Sequence, residues 1–110
     1  MKDQFEVWRF NFPEKRVHPV VLISHPDLCA RAAVINVLYC TNQRQSRNPR
    51  PHEVMLNSAD GLDWETFCDC ATMYAVRSDQ LFARVGKVSR ERRRAIRTKV
   101  RDLFRLQAAD

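Results

Sequence analysis

The chain has 110 residues, 45% of them hydrophobic and 29% charged, so it can form one compact core but is too short for two. Its formal net charge is +6, and no window approaches the roughly 18 apolar residues of a membrane-spanning helix, which excludes a membrane protein of that kind. Residues 1–4 lack the apolar stretch of a signal peptide, so we expect a cytoplasmic protein folded as a single domain over residues 1–110.

Four runs rich in β-branched and aromatic residues predict four short strands. The runs are residues 5–10, 20–23, 34–40 and 53–57. Pro13 ends the first strand, because proline has no amide hydrogen to donate to a neighbouring strand. The pair Pro26-Asp27 predicts a turn after the second strand, and Asp60-Gly61 predicts a turn after the fourth.

Residues 41–51 are polar and contain two prolines, which predicts an exposed loop. Within the loop Arg44, Arg47 and Arg50 recur every three residues, so they line up on an extended segment or on one helical turn. Either arrangement offers contacts to phosphate groups. A loop that is merely polar and exposed to solvent explains the same residues equally well.

Residues 64–75 carry two conflicting patterns. Helical spacing relates four of them: Trp64, Phe67, Ala71 and Tyr74. The same stretch is rich in threonine and aromatic residues, which favour strands. The pattern alone slightly favours a helix.

A helix of about 16 residues is predicted to begin after Ser89. Ser89 is a favourable N-cap residue, and Glu91 in the first turn complements the helix dipole. An apolar stripe at helical spacing would dock this helix; its members are Ile96, Val100, Leu103 and Phe104. Arginines fill the other faces, so the docked helix would present a basic surface.

Most of the positive charge lies in this last part of the chain. Residues 87–105 contain nine lysines and arginines against Glu91 and Asp102, a net charge of +7, so the rest of the chain sums to −1. Such a block attracts polyanions at long range. The alternative is a helix face that contacts only solvent.

The four cysteines are predicted to be reduced and mostly buried, since nothing in the sequence indicates export. They are Cys29, Cys40, Cys68 and Cys70. A metal site built from Cys68, Cys70 and either His25 or His52 is an alternative, but the spacing matches no common ligand pattern. We therefore expect no metal.

Several segments, taken in order, resemble the PemK/MazF toxins of toxin–antitoxin systems. They are residues 6–13 (EVWRFNFP), 18–24 (HPVVLIS), 34–41 (VINVLYCT), 52–56 (HEVML), Cys70 and 84–89 (RVGKVS). The second segment is similar to the family's R-P-V-L-V-I-S strand, and the last is similar to the R-[IL]-G-x-[LV]-S run before its terminal helix. The match extends over nearly the whole chain.

The resemblance implies a mainly β fold, an SH3-like small β-barrel with a C-terminal α-helix, usually as a homodimer. It also implies a type II toxin that acts as an endoribonuclease on single-stranded RNA, without a metal or other cofactor. A cognate antitoxin protein would inhibit it. The same resemblance implies a strand at residues 67–74, against the helical spacing noted above.

RNA carries its own nucleophile, the 2′-hydroxyl, so an enzyme must move protons and stabilise charge on the phosphate. The resemblance places His18 where the family arginine precedes Pro19, which makes His18 a candidate acid–base catalyst. Arg16 is a candidate phosphate clamp that would share a strand face with His18. Cys40 stands where the family threonine stands, with Thr41 next to it. We predict RNA contacts by four further residues: Arg44, Arg47, Arg50 and His52.

Two other functions fit the same residues. Ala71, Thr72 and Tyr74 stand in place of the family's Asp, Gln and Arg, which suits a catalytically silent relative that binds RNA or a protein. The same barrel also occurs in toxins that poison DNA gyrase. The central expectation is a barrel whose groove is edged by Arg16, His18 and residues 41–51.

Overall fold

A computed structural model describes residues 1–42 and 47–107. Six strands form one antiparallel sheet: β1 (Glu6–Phe12), β2 (Arg16–Leu22), β3 (Val34–Asn42), β4 (Glu53–Leu56), β5 (Thr66–Arg77) and β6 (Phe82–Lys87). The helices are α1 (Pro26–Arg31) and α2 (Arg90–Leu103), and two 3₁₀ turns lie at Ser58–Asp60 and Ser78–Gln80. The strand order is β4-β5-β3-β2-β1-β6. No described helix is long and apolar enough to cross a membrane.

The four strands predicted from composition are present, and a strand at residues 67–74 is confirmed as part of β5. The helical spacing in this stretch was therefore misleading. β5 pairs with both β3 and β4, and it contributes the fully buried Phe67, Cys68 and Cys70 to the core. Pairing with two neighbours outweighs a weak local preference for helix.

Two elements differ from the sequence-based expectation. The turn predicted at Pro26-Asp27 is wrong, because helix α1 begins there; Pro26 suits its first turn, and the His25 side chain accepts a hydrogen bond from the Asp27 amide. Strand β6 was not predicted. Its residues are half-buried or exposed and show no clear alternation, and it pairs only with β1 among the described strands.

The buried side chains lie on two faces of the sheet. The α2 face carries a core cluster that includes Val21, Leu38 and Cys40 together with Ile96 of α2. The α1 face carries a second cluster of nine residues, including Cys29 of α1. Residues next to each other on a strand point to opposite faces, so Cys40 and its neighbours contribute to different clusters.

The expected mainly β fold with a C-terminal helix is confirmed, and the sheet curls into half a barrel. Gly61 and Gly86 bring its two edges together. Gly61 adopts φ +92°, and a Cβ atom on Gly86 would lie 2.3 Å from the Asp60 carbonyl oxygen, so only glycine permits the approach. The turn after β4 therefore packs directly on β6.

A buried carboxylate anchors α2 to this turn. Asp60, 1% exposed, accepts hydrogen bonds from the amides of Asn57 (2.9 Å) and Ser89 (2.7 Å) and from the Arg92 guanidinium (2.7 Å). Ser89 occupies the predicted N-cap position, but its side chain makes no capping bond; its amide donates to Asp60. The helix has 14 residues rather than about 16.

Candidate active site

The β1–β2 hairpin places His18 on the α1 face. The residue pairs with Phe10 across the hairpin and is half-buried. Its Nδ1 lies 3.1 Å from the Cys40 carbonyl oxygen. Its Nε2 lies 2.8 Å from the Lys15 carbonyl oxygen and 3.1 Å from the Tyr39 hydroxyl. The imidazole is thus held between β3 and the hairpin turn.

These three contacts suit two protonation states of the His18 ring. A neutral ring with its hydrogen on Nδ1 donates to the Cys40 carbonyl and accepts at Nε2 from the Tyr39 hydroxyl. Partial burial raises the pKa of Tyr39, so its hydroxyl remains a donor at neutral pH. A doubly protonated ring donates to both carbonyl oxygens instead. In the neutral form the lone pair of Nε2 faces the Lys15 carbonyl oxygen at 2.8 Å, so this carbonyl group must move before Nε2 can accept a proton.

The Lys15 side chain brings a positive charge to Tyr39, the residue that also contacts the imidazole. Its Nζ donates to the Tyr74 hydroxyl at 2.9 Å and lies 4.7 Å from the centre of the Tyr39 ring. The hydrogen bond to Tyr74 raises the pKa of Lys15, so the exposed ammonium group stays charged. A shallow cavity of about 270 Å³ opens beside it, lined by Phe12, Pro13, Glu14, Lys15 and Tyr74. The charge is accessible from this cavity.

Packed aromatic rings fix the position of these groups. The buried Phe12 ring lies 5.3 Å from the Tyr39 ring and 4.9 Å from the Tyr74 ring, centre to centre. The rings of Tyr39 and His18 lie 4.8 Å apart. Such tilted and edge-to-face contacts stabilise one arrangement of the rings over others.

Arg16 lies at the hairpin turn rather than within regular β-structure. It is the first residue of β2, is exposed and adopts φ +66°, a conformation that non-glycine residues rarely take. Its side chain has no partner in the described part of the chain. Because strand geometry becomes regular only after this residue, the shared face with His18 that the sequence suggested stays a prediction.

The two candidates on β3 play different parts. Thr41, half-buried, is two residues from Tyr39 and so lies on the same face of the strand, the α1 face. Cys40 points the other way; its thiol is fully buried and pairs across the sheet with Cys68. The contact with Cys40 raises the pKa of the Cys68 thiol. Only the carbonyl group of Cys40 reaches His18, so the geometry gives its thiol no route to a substrate.

Arg47, a predicted RNA contact, already binds other groups of the protein. Its guanidinium binds the buried Glu53 carboxylate with two hydrogen bonds, of 2.8 and 3.0 Å, and lies 4.3 Å from the centre of the Phe67 ring. The bond to Arg47 lowers the pKa of Glu53 to about 2. Arg47 therefore holds the start of β4, and fewer of its guanidinium N–H groups are left to bind phosphate.

The other predicted contacts lie away from His18. Arg50 is exposed; its amide donates to Glu53, whereas its side chain has no partner within residues 1–42 and 47–107. His52, half-buried, lies 3.9 Å from the Asp69 carboxylate, where β5 bends. Two strands, β5 and β3, separate this edge from β2. Arg44 lies outside the described residues.

Sequence reasoning missed Lys15, Tyr39 and Tyr74 as site residues. Lys15 looked like part of a charged connection, and both tyrosines looked like strand formers. They meet only because the hairpin returns beside β3 and because Tyr74 of β5 pairs with Val37 of β3. A tyrosine two residues before the candidate threonine was the one available signal.

Across the described residues, no three His, Cys, Asp or Glu side chains are close enough together to hold a metal ion. The alternative metal site built on Cys68 and Cys70 would use two thiols that are fully buried. The contact with Cys40 and burial raise the pKa of the Cys68 thiol, and the contact with Cys68 and burial raise the pKa of the Cys70 thiol, which opposes metal binding by thiolate. All four cysteines are free and buried, as predicted.

The sequence matches the family model of PemK-like, MazF-like toxins of type II toxin–antitoxin systems over residues 3–104. An endoribonuclease in complex with its cognate antitoxin from a Mycobacterial species has a similar structure, with a TM-score of 0.82 at 16% identity, covering 99% of this chain and 100% of that one. The Mycobacterium tuberculosis toxin MazF-mt6 gives 0.78 at 14% identity, covering 93% and 98%. A MazE-MazF complex from Deinococcus radiodurans gives 0.73 at 15%, covering 96% of each.

No curated protein sequence gives a significant match. At identities of 14–16%, the solved structures establish the fold and leave the chemistry to be argued from the residues of this chain. The resemblance drawn from short ordered segments is confirmed by the family model.

Proposed function

Because the chain belongs to the family of PemK-like, MazF-like toxins of type II toxin–antitoxin systems, we propose that it is an endoribonuclease that cuts single-stranded RNA at the His18 site. One observation carries this proposal. The His18 ring has hydrogen-bond partners in both its neutral and its protonated form, and the charged Lys15 side chain lies over the Tyr39 ring, whose hydroxyl contacts His18. Proton transfer and phosphate binding are the two tasks that RNA cleavage requires.

In the proposed reaction the 2′-oxygen bonds to phosphorus while the bond from phosphorus to the 5′-oxygen breaks. The 2′-proton passes to a base, and the leaving 5′-oxygen receives a proton from an acid. Neutral His18 accepts the first proton through Nε2, after the RNA displaces the Lys15 carbonyl and the Tyr39 hydroxyl from that atom. The resulting imidazolium returns its proton to the leaving oxygen or to water. The products are a 2′,3′-cyclic phosphate and a 5′-hydroxyl.

Residues of the hairpin turn and of β3 stabilise the negative charge on the phosphate. The Lys15 ammonium and the exposed Arg16 guanidinium each offer donors to phosphate oxygens, and arginine can bind them with two parallel bonds. Thr41 contributes a hydroxyl from the neighbouring strand. Side chains carry out both the proton transfer and the stabilisation of charge, so cleavage is expected to continue when divalent metals are chelated.

Partners follow from the same proposal. A related endoribonuclease is known in complex with its cognate antitoxin, which supports a dedicated antitoxin protein for this chain. We further propose a homodimer in the cytoplasm, where RNA and antitoxin are both made. Light scattering of the purified chain, alone and with the protein encoded next to it, tests both partners.

The test of the catalytic proposal is sequencing of RNA ends after expression of the wild type, His18→Ala and His25→Ala. His25 is an exposed histidine at the start of α1, so its variant controls for loss of a histidine as such. We expect new 5′-hydroxyl ends with the wild type and His25→Ala, and none with His18→Ala. Equal cleavage by all three proteins would remove His18 from the mechanism.

A second candidate is an RNA-binding protein without catalysis. It is favoured by the 2.8 Å contact of Nε2 with the Lys15 carbonyl, which occupies the atom that would accept the proton. Purified protein that binds RNA with strong salt dependence but leaves it intact, in EDTA and in magnesium alike, would establish this candidate instead.

A further inference from the structure

The exposed side of α2 carries a regular row of charge. Four exposed arginines at spacings of four, three and four residues form it: Arg90, Arg94, Arg97 and Arg101. Side chains at such spacings lie along one line of a helix, here about 16 Å long. We call this line the arginine row. The fully buried Ile96 lies on the opposite side of the helix and fixes the row toward solvent.

The arginine row differs from the other basic residues of α2 in having almost no partners. Arg92 binds Asp60, Arg93 donates to the Val88 carbonyl at 2.8 Å, and Lys99 donates to the Pro51 carbonyl at 2.8 Å. These three cations hold the helix on the sheet.

Within the row, the only partner among the described residues is Asp102, whose carboxylate lies 3.5 Å from Nε of Arg101. Glu91 is the other acidic residue of α2, and it makes no ion pair in the described structure. Exposed guanidinium groups held close together repel one another. The fold therefore maintains a positive surface that, within the described chain, is paired only at Arg101.

The row is separate from the His18 site. Helix α2 packs against β4 and β5 on the α2 face, whereas the His18 ring lies with Phe12 and Tyr39 on the α1 face. The curled sheet stands between them. A ligand on the row would therefore not be bound by the catalytic groups.

The chemistry of the row fits a phosphate backbone better than a protein. A stable protein interface has an apolar centre. The exposed residues that flank the row, Glu91 and Thr98, are polar, and the exposed apolar side chains Leu103 and Phe104 lie only at its C-terminal end. Guanidinium groups bind phosphates with paired hydrogen bonds, and a linear polyanion can contact several groups of one line.

We propose that the arginine row is a second RNA-binding surface, which holds the phosphate backbone of a single-stranded RNA outside the catalytic site. The choice of RNA rests on the proposed function, whereas the polyanion site itself does not. A second binding site for the same RNA strand raises the effective concentration of that RNA at the His18 site without any new contact there. The arginine row binds phosphates of the RNA backbone, so it does not distinguish between RNA sequences.

The experiment measures RNA affinity in the His18→Ala background, so that the RNA stays intact. A fluorescent single-stranded RNA of about 20 nucleotides is titrated between about 50 and 200 mM NaCl. Arg94→Gln/Arg97→Gln removes the middle of the row. Its matched control is Arg9→Gln/Arg31→Gln, which removes two exposed arginines that lie outside α2 and make no ion pair in the described structure.

We expect the row variant to lower the slope of log K against log [NaCl] by about 1.4, because each lost phosphate contact on a single strand contributes about 0.7. Affinity should fall about tenfold at the lowest salt, while the control changes the slope far less. Equal effects of the two variants would show that the row acts only through the net charge of the protein, which would overturn the proposal.

Two further outcomes are informative. Binding of a polyglutamate peptide in preference to the RNA would assign the row to an acidic protein and also overturn the proposal. Loss of RNA cleavage in the wild type, with the row-dependent salt slope intact, would overturn the catalytic proposal and leave this one standing. Unchanged thermal unfolding of both variants confirms that the comparison concerns folded proteins.

Discussion

The two faces of the sheet carry positive charge in different ways. On the α1 face, Lys15 and His18 are held by hydrogen bonds and by packed aromatic rings. On the α2 face, the arginine row of α2 extends into solvent with hardly a partner. Proton transfer needs atoms fixed within a fraction of an ångström, whereas attraction of a polyanion needs charge that is left uncompensated. One short chain provides both by using opposite sides of one sheet.

The sharpest way to break this comparison is to detach the helix. Asp60→Ala removes the acceptor of two amides and of the Arg92 guanidinium, and it leaves that guanidinium without its partner. We expect the free energy of unfolding to fall by about 3 kcal/mol, measured by urea denaturation. The exposed Asp63→Ala serves as the control and should cost less than about 0.5 kcal/mol. Equal losses would show that Asp60 does not anchor α2.

Strong acid should weaken the β4 edge, because it protonates Glu53. The pKa of Glu53 is lowered from 4.5 to about 2 by Arg47, so its stabilising contribution is complete above pH 4.5 and is lost as the pH falls through about 2. We expect a loss of about 1 to 3 kcal/mol across this range. Glu53→Gln should be less stable at pH 7 and should show a flatter acid limb. An identical pH profile for the two proteins would contradict the assignment.

Removing one oxygen from the α1 face sharpens the comparison further. Tyr39→Phe deletes the hydroxyl that donates to Nε2 of His18, so the neutral ring loses a partner. We expect single-turnover cleavage to slow about tenfold, with a change in its pH profile. Tyr74→Phe removes a hydroxyl from Lys15 instead and should have a smaller effect. A larger effect of Tyr74→Phe would place the proton chemistry elsewhere.

The smallest expected effect separates paired from unpaired arginines within residues 47–50. Arg50→Gln should lower the salt slope of RNA binding by about 0.7, since its guanidinium has no partner in the described structure. Arg47→Gln should leave the slope nearly unchanged and instead lower stability, because Arg47 holds Glu53. A slope change at Arg47 alone would show that the ion pair opens to bind RNA.

The sequence predicts those features that depend on neighbouring residues. Alternation and β-branched content located the first four strands, and the spacing of Ile96 and Val100 located α2 with its basic outer surface. The exposure of one arginine of α2 could also be predicted, because helical spacing alone puts Arg94 opposite Ile96.

Features that depend on pairing between distant segments could not be predicted from residue patterns. The strand character of residues 66–77 comes from contacts with β3 and β4, which local spacing does not reveal. The partners of His18 come from the carbonyl groups of Lys15 and Cys40, and a carbonyl group carries no signature in sequence. For the same reason the role of Cys40 in the site lay in its backbone, whereas its side chain drew attention.

The most direct test of the account is single-turnover cleavage, in EDTA, of a short DNA oligonucleotide that contains one ribonucleotide at a mapped cleavage site. The single 2′-hydroxyl isolates the proposed nucleophile. We predict that the wild type yields a 2′,3′-cyclic phosphate and a 5′-hydroxyl, and that His18→Ala slows the step by about 10²- to 10⁴-fold while binding the oligonucleotide equally well. Full-rate cleavage by His18→Ala, or cleavage of the all-deoxy oligonucleotide, would contradict the account.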